Sequence, residues 1–171
     1  MGVPMLNVKS SVAALAIGAL AACAPTNSSE LSPAQRVAIQ DSVRTAMSEL
    51  ATKVNANGFT EWLPYLEHSD RFVWSADGEI PFSSADSLAR FITDFSATLT
   101  HTELAWMDQR VGVLGPGLAI VTTPYREMYV GKKNDTTRVA GVFVGVWASA
   151  PSGWKLVSGN TSHAQPAGAA H

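Results

Sequence analysis

The segment Tyr125-Arg126-Glu127 sets a phenol, a guanidinium and a carboxylate side by side in an otherwise apolar stretch. Adjacent residues of a strand face opposite sides of a sheet, so Arg126 and Glu127 cannot both point inward. Turned inward, Glu127 is the best general-base candidate in the chain, because a carboxylate walled in by apolar groups acquires a pKa suited to proton abstraction. The alternative is cross-strand charge pairing on the outer face of a sheet, the commoner fate of such residues. Asp108 and Arg110 alternate with apolar neighbours and read as an outer-face pair in the same way. Six large aromatic residues, Trp62, Tyr65, Trp74, Trp106, Tyr125 and Trp147, either line a pocket for a flat apolar ligand or fill an ordinary core. The histidines His68, His101, His163 and His171 have no metal-ligand spacing, and no metal site is expected. His68, in Glu67-His68-Ser69-Asp70, reads as a solvated loop residue. No serine nucleophile elbow, phosphate loop or dinucleotide fingerprint occurs, so no cofactor is expected; Gly115-Pro116-Gly117 falls between strands, not before a helix.

These side chains must be held by a single domain, since 171 residues is one domain by size. With 15% charged and 46% apolar residues the chain belongs with globular rather than disordered sequences. The net charge is -2, and no basic run exceeds Lys132-Lys133, which argues against nucleic-acid partners. The first 22 residues read as an export signal: Lys9 supplies the positive charge, and Ser10 to Ala22 is an uncharged run too short to span a bilayer. It ends in Leu20-Ala21-Ala22-Cys23, which resembles the bacterial lipobox. That resemblance implies lipid on Cys23 and a place in the cell envelope, in the outer membrane where the cell has one, since Ala24 is not an aspartate. The rival reading is ordinary cleavage that releases a soluble protein. Cys23 is the only cysteine, so the exported domain has no internal disulfide.

Residues 23–31 form a Pro/Ser/Thr/Asn-rich tether. Ser32-Pro33 with Gln35 predicts a capped helix carrying Ile39, Val43, Met47 (or Ala46), Leu50 and Val54 on one face and closing at Gly58. Thr60 opens a shorter helix that Pro64 limits. Arg71 to Ser75 and Ile80 to Phe82 make a hairpin about Asp77-Gly78. Ser83 or Ser84 caps a third helix with Leu88, Phe91, Ile92, Phe95 and Leu99 on its apolar face. Four long strands follow, at Glu103 to Leu114, Leu118 to Val130, Thr136 to Ala148 and Trp154 to His163. Internal Gly141, Gly145 and Pro124 suggest a strongly bent sheet with bulges. The expected fold is α+β, three N-terminal helices on a bent, mostly antiparallel six-stranded sheet over residues 32–163, with a frayed tail at 164–171.

This order of elements resembles the nuclear transport factor 2-like (NTF2-like) superfamily, and within it the SnoaL-like or DUF4440-type proteins. The ending carries most of the likeness: Trp147, a turn, then Trp154-Lys155-Leu156-Val157-Ser158-Gly159-Asn160-Thr161-Ser162. The association domain of calmodulin-dependent kinase has similar Trp-to-Trp spacing, and Val111 to Val121 looks like the family's central hairpin. The resemblance implies a cone whose open end binds a small molecule, with Trp62, Tyr65, Trp74, Trp106 and Tyr125 shaping it. Ser158 and Asn160 stand where relatives often carry His; they would be polar contacts, Asn160 donating to a carbonyl or enolate oxygen beside the base Glu127. The implied chemistry is isomerase- or dehydratase-type proton transfer without a cofactor. The alternative is a non-catalytic interaction module. The two apolar faces of Val142 to Trp147 imply a homodimer through the sheet.

Overall fold

A computed structural model describes residues 30–164. The export signal, Cys23 and nearly all of the tether, with the tail from Gln165, lie outside the described residues. Helix α1 (Pro33–Asn57) starts as a reciprocal cap: Ser32 Oγ accepts from the Gln35 backbone N–H, and Gln35 Oε1 accepts from that of Ser32. It stops at Gly58, whose φ of +99° favours glycine. Val43, Ala46, Met47, Leu50 and Val54 form its buried stripe.

A 3-10 turn (Phe59–Tyr65) follows directly. Thr60 lies inside it rather than capping it, because Gly58 already occupies the boundary and Pro64 keeps the segment short. Strands β1 (Val73–Ala76) and β2 (Glu79–Phe82) are joined by Asp77 and Gly78, both at positive φ, the two-residue turn that matches strand twist. Helix α2 (Ala85–Ser96) is capped by Ser84 and buries Ala85, Leu88 and Ile92. Strands β3 (Leu99–Trp106), β4 (Arg110–Gly115), β5 (Leu118–Gly131), β6 (Thr136–Ala150) and β7 (Gly153–His163) complete the domain.

The sheet runs β2-β1-β7-β6-β5-β3, with β4 also on β5, and every pairing is antiparallel except β1 with β7. It has seven strands, not six, because the run expected from Glu103 to Leu114 is two strands. Trp106 pairs with Tyr125 and Arg110 with Thr122, so three residues on this edge oppose two on β5. That bulge inverts the alternation: Thr102 and Leu104 are buried before it, Val111 after it. The helical count is likewise two α-helices and one 3-10 turn.

Side-chain hydrogen bonds tie α1 to the sheet, among them Trp154 Nε1 of β7 donating to Ser42 Oγ (2.8 Å). Gln40 Nε2 donates to the Val111 carbonyl (3.0 Å), Trp106 Nε1 to the Met47 carbonyl (3.0 Å), and Asn55 bonds both the N–H and the carbonyl of Leu104 (2.6 and 3.1 Å). Asn55 thereby acts as one residue of strand pairing offered by a helix. Asn55→Ala is expected to destabilise the domain by ~1–2 kcal/mol. A lower denaturant midpoint with an unchanged slope would show it.

Candidate functional site

Helix α2, the 3-10 turn, the hairpin and the inner face of the sheet line a cavity of about 270 Å³. Its walls are aromatic: Phe59 and Trp62 from the 3-10 turn, Trp74 from β1, Phe91 and Phe95 from α2, and Trp106, Tyr125, Tyr129 and Phe143 from the sheet. Trp62 meets Trp74 and Trp106 edge to face, at ring separations of 6.1 and 6.0 Å. Room for these rings comes from glycine. A Cβ at Gly159 would sit 2.4 Å from the Trp74 ring, and one at the opposing Gly145 2.5 Å from the Phe143 ring.

Strand β5 carries the polar groups. Its alternation is unbroken, so Ala119, Val121 and Thr123 are buried and Tyr125, Glu127 and Tyr129 line the cavity. Glu127 thus faces in and Arg126 is exposed, contrary to the outer-face pairing that is commoner for such residues. The Glu127 carboxyl is enclosed by the walls, and burial pushes it up to about 7. The Tyr129 hydroxyl donates to it, and that bond, with the nearby His163, moderates the rise. Burial holds the Tyr125 phenol above its usual range, assisted by the charges of Glu127 and Asp77. Tyr129 is raised the same way by burial and by Glu127. Both phenols therefore stay protonated as donors.

At the rim, His163 ends β7 and faces Asp77 in the hairpin turn. The Asp77 carboxylate accepts from the His163 backbone N–H (2.8 Å) and pairs with its ring Nδ1. The backbone bond first, and the ring bond second, hold Asp77 below the usual carboxylate range. With Nδ1 bound to a carboxylate, Nε2 is the nitrogen left to exchange a proton with a ligand.

Of the residues expected at the site, Trp62, Trp74, Trp106, Tyr125 and Glu127 come together on the wall. Tyr65 does not. It is buried behind the cavity, its ring 6.3 Å from that of Trp147 and its hydroxyl accepting from Lys53 Nζ (3.3 Å). Ser158 and Asn160 do not either, and Asn160 Nδ2 donates instead to Ser75 Oγ (2.6 Å). The reason is a second bulge. Trp147 pairs with Leu156 but Val146 with Ser158, so Val157 is an extra residue and the inner face passes from Leu156 to Gly159, Thr161 and His163. Asp77, His163 and Tyr129 were missed. Tyr129 was legible as the second residue past Glu127 on one strand face; His163 was hidden by the bulge, and Asp77-Gly78 was read only as a turn. His68 is exposed and pairs with Asp86 (2.8 Å), and Asp108 and Arg110 pair in solvent on the first bulge (3.2 Å). Among the described residues no three His, Cys, Asp or Glu gather as metal ligands.

No protein-family model matches the chain, and no curated protein matches it in sequence. Solved structures do match. A nuclear transport factor 2 (NTF2-like) superfamily protein from Salmonella enterica serovar Typhimurium aligns at TM-score 0.65 and 15% identity, over 79% of this chain and 97% of that one. A provisionally assigned NTF2-like dehydratase from Streptomyces avermitilis aligns at 0.64 and 17%, over 76% and 99%. A provisionally assigned scytalone dehydratase from Novosphingobium aromaticivorans aligns at 0.66 and 10%, over 79% and 97%. At these identities the likeness establishes an NTF2-like fold.

The Glu127 carboxyl is expected to titrate near pH 7 by carbon-13 NMR, and Tyr129→Phe to move that midpoint higher by removing a bond to the charged form. Because the folded pKa exceeds the ordinary 4.5, this group's stabilisation is present below about pH 4.5 and is lost as the pH rises through 7. Glu127→Gln should remove that slope from a plot of denaturant midpoint against pH.

Proposed function

We propose that this chain is an exported, lipid-anchored SnoaL-like protein whose cavity binds a small, largely apolar molecule and moves a proton on it. The observation that carries the reading is Glu127: one carboxyl group, brought by burial to about 7, in a cavity otherwise walled by aromatic rings. A base whose pKa lies near the working pH combines a useful ionised fraction with a useful affinity for the proton. Glu127 takes a proton from a carbon of the ligand through the carboxyl oxygen that Tyr129 leaves free. His163, oriented by Asp77, returns a proton at the rim or delivers one to a departing hydroxyl. The first course is an isomerisation and the second a dehydration. Neither requires a cofactor. The dehydratase assignments of the Streptomyces and Novosphingobium proteins favour the same chemistry. The SnoaL-like placement rests on the ending from Trp147 to Ser162.

The test uses a generic enolisable ring, 1-indanone, in heavy water. The purified protein is expected to accelerate deuterium exchange at the carbon beside the carbonyl, and Glu127→Gln to lose about 10²–10⁴-fold of that rate. An exchange rate equal in parent and variant would remove Glu127 from the chemistry.

A second reading, an envelope interaction module, is favoured by the outer face of the sheet. Val142 and Leu118 are exposed there, with Val144, Val146 and Ile120 half-buried beside them. We propose that this face pairs two copies whether or not the cavity is catalytic. Expression of the full chain in a bacterium checks anchor and pairing together. Cys23→Ala should move the protein from the membrane to the soluble fraction, and the released protein should sediment at twice the mass of one chain.

A further inference from the structure

Ten of the eighteen residues that line the cavity are Phe, Trp or Tyr, and its aliphatic share is only Leu88, Ile92 and Val139 with Ala76 and Pro81. A neutral apolar ligand gains as much from an aliphatic wall. Aromatic rings add a face of partial negative charge. Two groups of these rings stand at right angles. Phe59, Phe95 and Tyr129 meet pairwise at 86°, 88° and 75°, with ring separations of 5.7, 5.7 and 5.1 Å. Trp62 stands at 88° to Trp74 and 86° to Trp106. Phe59, Trp74, Phe95, Trp106 and Tyr129 all keep accessible surface while lining the cavity, and so does Glu127.

The charges inside this wall do not balance. Glu127 is the one carboxyl group among the described lining residues, and no Lys or Arg is among them. Glu127 makes no ion pair among the described residues, and its side-chain hydrogen bond comes from the neutral Tyr129 hydroxyl. The other titratable groups that face it are Tyr125 on the same strand and His163 at the end of β7, which Asp77 holds. The lining residues of α2, the 3-10 turn, β1, β2, β3 and β6 carry no titratable group. Lys132 and Lys133 stand in the turn after β5, beyond Tyr129 and outside this wall. A carboxylate withdrawn from water is stable when a cation pairs with it. The chain supplies none here.

We propose that the cavity is an aromatic cage for a small organic cation, an alkylated ammonium group, with Glu127 as its counter-ion. This rests on the reading of the cavity as the ligand site and names the ligand's class, but it needs no proton transfer. Ring faces attract an ammonium ion, and the attraction grows where water is excluded. An alkylated nitrogen presents methyl groups to the rings and one charge to the carboxylate. It brings no N–H groups to satisfy, which suits a wall with few acceptors besides Glu127. The volume of about 270 Å³ lies near the small end of ligand pockets, ~300–1,000 Å³, and confines the occupant to a compact head group. The cation also favours the ionised carboxyl. Glu127, which burial raises to about 7, gives up its proton when the cation enters. Affinity therefore rises as the pH rises through 7.

The test pairs choline with 3,3-dimethylbutan-1-ol, which has the same shape with carbon in place of the charged nitrogen. Titration calorimetry at pH 8 should find choline bound about tenfold more tightly than the alcohol. Choline should bind more weakly below pH 7, while the alcohol should not respond to pH. Glu127→Gln keeps the size of the side chain and an acceptor for Tyr129. It should erase the preference for choline and its pH dependence while leaving the alcohol's affinity unchanged. Trp74→Leu should weaken choline more than the alcohol, with a thermal melt to show that the variant is folded. Equal affinities in the parent, no choline binding at all, or a preference that survives Glu127→Gln would overturn the cage. Deuterium exchange into 1-indanone without a preference for choline would keep the proton-transfer reading and sink the cage. A preference for choline without exchange would do the reverse.

Discussion

The unbroken alternation of β5 is the constraint on which the rest of the domain depends. This strand pairs with β3, β4 and β6, so its register fixes three others. Its inner face is one series of odd-numbered residues that begins as packed core at Ala119, Val121 and Thr123 and ends on the cavity wall at Tyr125, Glu127 and Tyr129. One residue inserted between Ala119 and Arg126 would turn Glu127 to solvent and Arg126 into the cavity. The bulges that a strongly bent sheet requires fall instead on other strands, between β3 and β4 and at Val157 of β7. The strand that carries the candidate base is thus the one the bending leaves intact.

The same chain drives two carboxyl groups in opposite directions. Glu127 is raised because aromatic walls remove water from it, and the hydrogen bond from Tyr129 offsets only part of that rise. Asp77 is lowered because it stands in a solvent-exposed turn and accepts from the backbone and the ring of His163. Groups whose environments push their pKa values apart can divide the roles of acid and base. Here the two groups sit in a strand interior and at a strand end: burial raises Glu127, and the positive-φ turn at Asp77 reaches across to hold His163.

Whatever local pattern decides was legible in the sequence. The capping box at Ser32 and Gln35, the stop at Gly58 and the Asp77-Gly78 hairpin follow from spacing and residue type, while four of the five aromatic residues on the wall follow from the family resemblance. What bulges decide was not legible. Val157 looks like any alternating apolar residue, and no local signal marks it as the extra one, so alternation alone does not reveal that the inner face passes from Leu156 to Gly159 and on to His163. The face taken by Glu127 was open for the same reason. Tyr65 was a different failure. Its type suits a cavity wall, but the tight 3-10 turn gives that place to Trp62 and leaves Tyr65 against Trp147.

The bulge at Val157 also explains why the polar groups stand where they do. Midway along β7 the inner position is Gly159, and any side chain there would enter the Trp74 ring, 2.4 Å from a Cβ. Gly145 opposite is closed to a side chain by Phe143 and Leu156. The centre of the inner face is therefore surrendered to two aromatic rings, which make the cavity apolar enough to raise Glu127. Groups that exchange protons can enter only around those rings: from β5 on one side, and from the far end of β7, where His163 clears them. An aromatic floor and a side chain in mid-strand exclude each other sterically, and the floor leaves Glu127 as the one carboxyl group among the described lining residues.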